Sequence, residues 1–256
     1  NPATQVPDFD AIGRLCRECG LLFVVDNTIT SPQIFRPGTV GAGLVINSLT
    51  KTIGGHGAAL GGSVTDTGQF DWDRFPNISP SYLSSPARER GLTQIRKKAL
   101  RDMGAALAPE PAHRISLGLE TLPLRVAHTS ATADALARFL QRHPAVSQVM
   151  YPMLPEHPQY EIAKRHFSAG SWLLSFELRD AATTLPVLNR LRLPIKATGL
   201  GDNRTLVIPV APTIFWEAGP EARAMMGIGD GLVRVSVGLE NVDDLIADFD
   251  QALAAG

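Results

Sequence analysis

A chain of 256 residues that is 44% hydrophobic and 19% charged carries enough apolar material for a substantial core, and its length permits one large domain or two smaller ones. With 24 basic residues against 25 acidic ones, it has no electrostatic footprint for nucleic acid or an anionic membrane. No apolar run of about 18 residues exists to span a bilayer and the first residues lack a basic-then-apolar signal, so the expected setting is the cytoplasm.

Between Asp8 and Cys19 the apolar positions Phe9, Ile12, Leu15, Cys16 and Cys19 recur on one helical face, which Gly20 ends. Cys16 and Cys19 are the only 2 cysteines, and they read as packing residues of that face. A zinc site would need two further ligands, and a redox Cys-x-x-C would open a helix after a strand. Next, Leu21-Leu-Phe-Val-Val25 is a continuous apolar run that stops at Asp26-Asn27-Thr28, which predicts a strand buried on both faces of a parallel sheet. A crossover punctuated by Pro32, Pro37, Gly38 and Gly41 leads to a second such run, Gly43-Leu-Val-Ile-Asn47. That run meets Ser48-Leu-Thr50-Lys51 and Gly54-Gly-His-Gly57, and a short strand is expected at 61–65. The alternation predicts a mostly parallel α/β sheet.

Residues 67–85 read as an irregular loop and 86–107 as a long helix, with Arg96, Lys97, Lys98 and Arg101 forming its solvated face. Pro109-Glu-Pro111 breaks that helix and marks the expected division between 1–108, read as the carboxyl-terminal part of a large α/β domain, and 109–256, read as a smaller α+β domain. Within the second portion, helices are expected at 113–127, 130–142, 158–167, 181–191 and 242–254. They interleave with strands at 146–150, 172–178, 205–208 and 232–237.

Asp26 and Lys51 both fall at carboxyl ends of strands, the edge at which open α/β sheets bind ligands. A lysine set between hydroxyl side chains and a glycine run can hold an aldehyde cofactor covalently while hydroxyls and backbone amides bind its phosphate. The group so implied is pyridoxal 5'-phosphate. An aspartate on the neighbouring strand would pair with its protonated pyridine nitrogen and keep the ring able to absorb electrons. The plainer alternatives are an ordinary strand-to-helix loop around Lys51 and an aspartate that caps the following turn.

Val24-Val-Asp-Asn-Thr28, Ser48-Leu-Thr-Lys-Thr-Ile-Gly-Gly-His-Gly57, Gly118-Leu-Glu-Thr-Leu122 and Val233-Arg-Val-Ser-Val-Gly-Leu-Glu240 occur in that order. Together they resemble the enzymes of Cys/Met metabolism, a group that includes cystathionine γ-synthase, cystathionine β-lyase, O-acylhomoserine sulfhydrylase and methionine γ-lyase. The resemblance implies fold type I of the pyridoxal-phosphate enzymes (aspartate aminotransferase-like), γ-replacement or elimination on a sulfur amino acid or homoserine ester, and a homotetramer built as a dimer of dimers. It also implies that a family segment upstream of Asn1, with a phosphate loop and a ring-stacking aromatic residue, is not represented here.

On the same resemblance, Lys51 is the cofactor lysine and proton carrier, Asp26 the ring-nitrogen partner, and Ser48 and Thr50 the phosphate hydroxyls. Asn1 lies near the ring oxygen. Arg234 receives the substrate carboxylate, since a lone cation in an apolar strand needs a partner and a planar guanidinium grips a carboxylate with two bonds. A structural salt bridge from Arg234 to Glu240 or Asp243 is the alternative. Thr198 stands where the family commonly has serine, and Ile208-Pro-Val-Ala-Pro-Thr-Ile-Phe215 departs from the family's His-Pro-Ala stretch. His56 reads as structural. Within the family the expectation leans to a cystathionine γ-synthase-like reaction, against the C–S lyases. From another class, a non-catalytic fragment or subunit is the competing reading. A nucleotide module is disfavoured, because neither a G-x-G-x-x-G nor a G-x-x-x-x-G-K-S/T pattern is present.

Overall fold

The computed structural model describes residues 1–254, so the last two residues of the expected second portion, 255 and 256, lie outside it. Helix α1, Phe9–Cys19, is capped by Asp8, whose carboxylate accepts from the Ala11 amide. Strand β1, Val24–Asp26, pairs in parallel with β2, Leu44–Ser48, across a connection that includes the short helix α2, Ser31–Ile34. Strand β3, Gly62–Asp66, then adds antiparallel to β2. The first sheet is therefore a three-stranded mixed one, in the order β1-β2-β3.

Its two faces differ. Val25 and Val45 point into a cluster with Val6, Phe9, Phe35 and Val40, where burial of apolar side chains holds the layer together. Val24, Ile46 and Val64 on the other face are 43%, 39% and 42% exposed. The expectation of a strand buried on both sides is corrected here: the alternation is one face in, one face out, and the strand begins at Val24 rather than Leu21. The expected cysteine face is corrected as well. Phe9 and Gly13 are the buried residues of α1, while Leu15 and Cys19 are exposed and Cys16 half-buried. A Cβ on Gly13 would overlap the Val40 carbonyl, so this glycine lets the helix press closely on the 37–40 turn and sets which face is covered.

Residues 67–85 contain isolated 3₁₀ turns, as an irregular loop should. Helices α3, Arg90–Gln94, and α4, Arg101–Met103, are joined by a wider turn, Ile95–Leu100, and end at Gly104. Pro109 does not interrupt a helix; it opens one at the first position, where its missing N–H costs nothing. This is α5, Pro109–Glu120, and it is followed at once by α6, Leu122–Arg142. The helix break expected near 128 therefore lies at Thr121.

The rest is β4, Val146–Met150; α7, Tyr160–His166; β5, Leu173–Leu178; α8, Thr184–Arg190; β6, Ile195–Lys196; β7, Leu206–Pro209; α9, Gly219–Met225; β8, Leu232–Ser236; and α10, Val242–Ala254. A five-stranded sheet runs β4-β5-β8-β7-β6, antiparallel except for β6 with β7. Its core joins Leu136, Leu140, Leu174, Phe176, Val233, Val235, Leu245 and Phe249, so α6 and α10 cover one face. The amino-terminal half of α6 instead packs Leu122 and Val126 against Ile34, Ile53 and Ile115, beside the lysine loop. One helix thus joins the five-stranded sheet to the lysine turn.

Candidate active site

The site is organised by the carboxyl edge of β1 and β2. Asp26 ends β1 in register with Ile46, and Ser48 ends β2. The Asp26 Oδ1 accepts from the Thr28 amide at 3.0 Å, the turn-capping bond weighed above as the plainer alternative. Its other oxygen has no hydrogen-bond partner among the described residues, and the residue is exposed, so a cation can still be met there. Thr28 also accepts from the Ser48 amide at 2.8 Å through its hydroxyl, which ties the two strand ends together.

Lys51 sits in one wide turn, Leu49–Ile53, in which Gly54 N–H donates to Leu49 O at 2.9 Å and Gly55 N–H to Lys51 O at 2.7 Å. Its own dihedrals, φ −84° and ψ −137°, leave the helical region, and such wide turns are frequent at functional sites. The Ser48 hydroxyl makes no hydrogen bond among the described residues. Thr50 differs: its hydroxyl donates to Gly61 O at 3.3 Å and accepts from Gly61 N at 3.0 Å, fastening the loop to the start of β3. It is the phosphate hydroxyl that the geometry supports least. His56 is exposed, with Nδ1 2.5 Å from Gly54 O, a contact that braces the glycine turn.

Arg234 on β8 is 3% exposed. It donates to Thr198 O at 2.7 Å and Gly199 O at 3.1 Å through Nη2, and to Asn1 Oδ1 at 3.3 Å through Nη1. Burial lowers its guanidinium below the ordinary arginine value. No carboxylate pairs with it among the described residues, and Glu240 is occupied with Thr205, so the salt-bridge alternative is not what the structure contains. Nε and the second Nη1 hydrogen make no hydrogen bond among the described residues, and since they lie on opposite edges of the guanidinium, one carboxylate can be met by either of them. Thr198 is exposed and meets Arg234 through its carbonyl, not its hydroxyl.

The two groups are joined by the loop after β6. Gly201 donates to the Ser236 hydroxyl at 2.8 Å, and with φ +72° it lies so near the lysine turn that a Cβ would stand 2.6 Å from Thr52 N and 3.1 Å from Lys51 Cβ. The structure therefore brings Lys51, the 198–201 loop, Arg234 and Asn1 into one contiguous set, with Asp26 and Ser48 on the adjoining strand ends. Asn1 and Asp26 also line a common cavity of about 310 Å³. Sequence reasoning missed Gly201 and Thr28, which lack a signal of their own. It also missed Arg125, a lone cation within Leu122-Pro-Leu-Arg-Val-Ala127, the same signal that singled out Arg234.

The donor set suits pyridoxal 5'-phosphate: an amine, a carboxylate with one unengaged oxygen on the neighbouring parallel strand, and the Ser48 hydroxyl. An α/β chain with this arrangement has the fold of the type I pyridoxal-phosphate lyases. One solved structure is a putative O-acetylhomoserine (thiol)-lyase from Campylobacter jejuni carrying a pyridoxyl-lysine monophosphate. It matches at TM-score 0.91 and 32% identity over 99% of this chain and 64% of its own. A cystathionine γ-lyase from Micromonospora echinospora matches at TM-score 0.86 and 34% identity over 100% and 62%. The O-succinylhomoserine sulfhydrylase of Mycobacterium tuberculosis is 39% identical over 99% of this chain and 59% of its own. Residues 1–254 match the family of Cys/Met metabolism PLP-dependent enzymes, and the chain belongs to it. It spans about three fifths of the length of the curated relatives it matches.

Proposed function

We propose that this chain carries the cofactor lysine and carboxylate-binding arginine of an O-acylhomoserine sulfhydrylase. Such an enzyme replaces the acyloxy group on Cγ of a homoserine ester with sulfide, forming homocysteine and releasing the carboxylic acid. The observation that carries this reading is Lys51 at the β2 edge, packed against the loop that also engages Arg234. When bound, the cofactor supplies an electron sink. Lys51 holds it and moves protons at the substrate Cα, a contribution of roughly 10²–10⁴-fold for positioned general acid/base groups. Asp26 would meet the cofactor's ring nitrogen, Ser48 would contribute to holding its phosphate, and Asn1 would lie beside the ring. Arg234 would take the substrate carboxylate, which would align the Cα–H bond.

Two of the three relatives named above are acylhomoserine sulfhydrylases or thiol-lyases, which favours sulfide as the nucleophile over the cysteine of a cystathionine γ-synthase. The γ-lyase likeness supports γ-elimination as the second reading, since it uses the same residues without an incoming thiol. The expected homo-oligomer, small amino-acid substrate and cytoplasmic setting go with this proposal. No helix among the described residues is long and apolar enough to cross a membrane.

The test takes the full-length protein with added pyridoxal 5'-phosphate, borohydride reduction and peptide mapping, then O-acetyl- and O-succinylhomoserine with sulfide or with cysteine. Label on Lys51 and homocysteine from sulfide are expected, with turnover lost in Lys51→Ala while its thermal melt is unchanged. Cystathionine as the sole product would overturn the sulfhydrylase assignment, and turnover at the wild-type rate in Lys51→Ala would remove the lysine.

A further inference from the structure

We propose that Arg125 is a positioning residue for Lys51: α6 supplies a buried guanidinium that clamps the two peptide carbonyls following the lysine and so fixes where its amine points. This rests on the assignment of Lys51 as the cofactor lysine. Arg125 is 6% exposed and donates to Thr52 O at 2.6 Å through Nη1. It donates to Ile53 O at 3.1 Å and Gly118 O at 2.5 Å through Nη2, and to the Thr121 hydroxyl at 3.0 Å through Nε. All three nitrogens are engaged, by four acceptors from two segments of chain.

None of those acceptors is a carboxylate. Burying a cation against neutral partners is costly, and burial lowers this guanidinium below its ordinary value, so packing alone would be better served by an aliphatic side chain. What the cation does is local. Lys51 leaves helical geometry, and the carbonyls of Thr52 and Ile53 come at the end of a one-turn helix, where a positive charge suits the outward-facing oxygens. Holding both peptide planes fixes the Lys51 backbone immediately upstream.

The glycines around the clamp support the same conclusion. A Cβ on Gly55, whose φ is +69°, would overlap Arg125 Nη1, and a Cβ on Gly118 would overlap Gly54 O. The Gly54-Gly-His-Gly57 and Gly118-Leu-Glu-Thr-Leu122 segments thus leave the space that the guanidinium and α5 occupy. Two motifs far apart in sequence are the two jaws of one fastening. A lysine could not replace the arginine, because one ammonium group has no planar fork to reach three carbonyls and a hydroxyl at once.

The experiment uses Arg125→Lys in the full-length protein, with Thr121→Val as a milder variant that removes the Nε partner and the hydroxyl's own long bond to Gly118 O, and leaves the Nη bonds to Thr52 O and Ile53 O in place. Folding is followed by thermal melts, cofactor affinity by titration of the visible band with pyridoxal 5'-phosphate, and site occupancy by borohydride trapping at Lys51. Arg125→Lys is expected to weaken cofactor binding and trapping by about tenfold or more, with kcat falling while KM changes little. Thr121→Val should move affinity the same way by less, and Arg165→Lys, on the exposed surface, should not move it. Wild-type affinity and trapping in a folded Arg125→Lys protein would overturn the inference; should that variant not fold, wild-type behaviour of Thr121→Val would do so. Failure of the parent assignment is distinguishable, because then the wild-type protein itself takes no label at Lys51.

Discussion

In the five-stranded sheet every residue of β8 is buried and only Glu177 of β5 is partly open, while the three-stranded sheet covers one face and leaves Val24, Ile46 and Val64 in the open on the other. The groups assigned to chemistry are divided between them. Asp26, Ser48 and Lys51 lie at the carboxyl edge of the thinly covered sheet, and Arg234 is embedded in the thickly covered one. The difference shows how the site is held. Arg234 is buried within its strand and steadied by the carbonyls of Thr198 and Gly199, whereas Lys51 lies in a turn at the sheet edge and is fixed by Gly201 from the loop after β6 and by α5 and α6 with Arg125.

Core deletions test that contrast most strongly. Phe176 is fully buried and meets Phe249 edge-on at 6.1 Å, so Phe176→Ala should cost about 3–5 kcal/mol in denaturant unfolding. Ile46→Ala on the open face should cost less than about 1 kcal/mol. Equal losses would mean that the two sheets are covered alike in solution. Gly201→Ala comes next. Its positive φ and the 2.6 Å approach to Thr52 N predict a cost of about 1–3 kcal/mol together with weaker cofactor uptake. A stability loss with unchanged uptake would separate this loop from the lysine.

The smallest effect concerns pH. His157 is buried in the turn before α7, with Nδ1 accepting from the Gln159 amide at 3.2 Å, and burial lowers its imidazole below the ordinary histidine value. The folded state then binds this proton less readily than the unfolded chain. The stability it contributes is complete above about pH 6.5 and is lost as pH falls toward the lowered value. Melting temperature should therefore decline on acidification below about pH 6.5, and His157→Gln should flatten that slope. An unchanged slope would assign the acid sensitivity to other groups.

Asp26 and Lys51 were legible in the sequence because each closes a run of apolar residues, and a strand's end is a local property. The strands at 146–150 and 232–237 were legible for the same reason. Helix junctions were less so. Pro109 reads equally as a stop or a start, and the structure makes it a start because Gly104 has already ended the preceding helix. The cysteine face of α1 was misread because period alone does not say how far a helix is rotated; Gly13 against Val40 O decides that.

By itself the sequence determined the family and much of the order of elements, and it singled out Lys51 and Asp26, since strand ends and turn residues are set by neighbours along the chain; β6 and α9 were not legible in it. Tertiary structure alone decided that Thr50 is tied to Gly61, that Gly201 lies against Lys51, and that a buried arginine 74 positions downstream grips the carbonyls beyond it. These contacts join segments distant in sequence that meet around α6, and no local pattern of side chains encodes such a meeting.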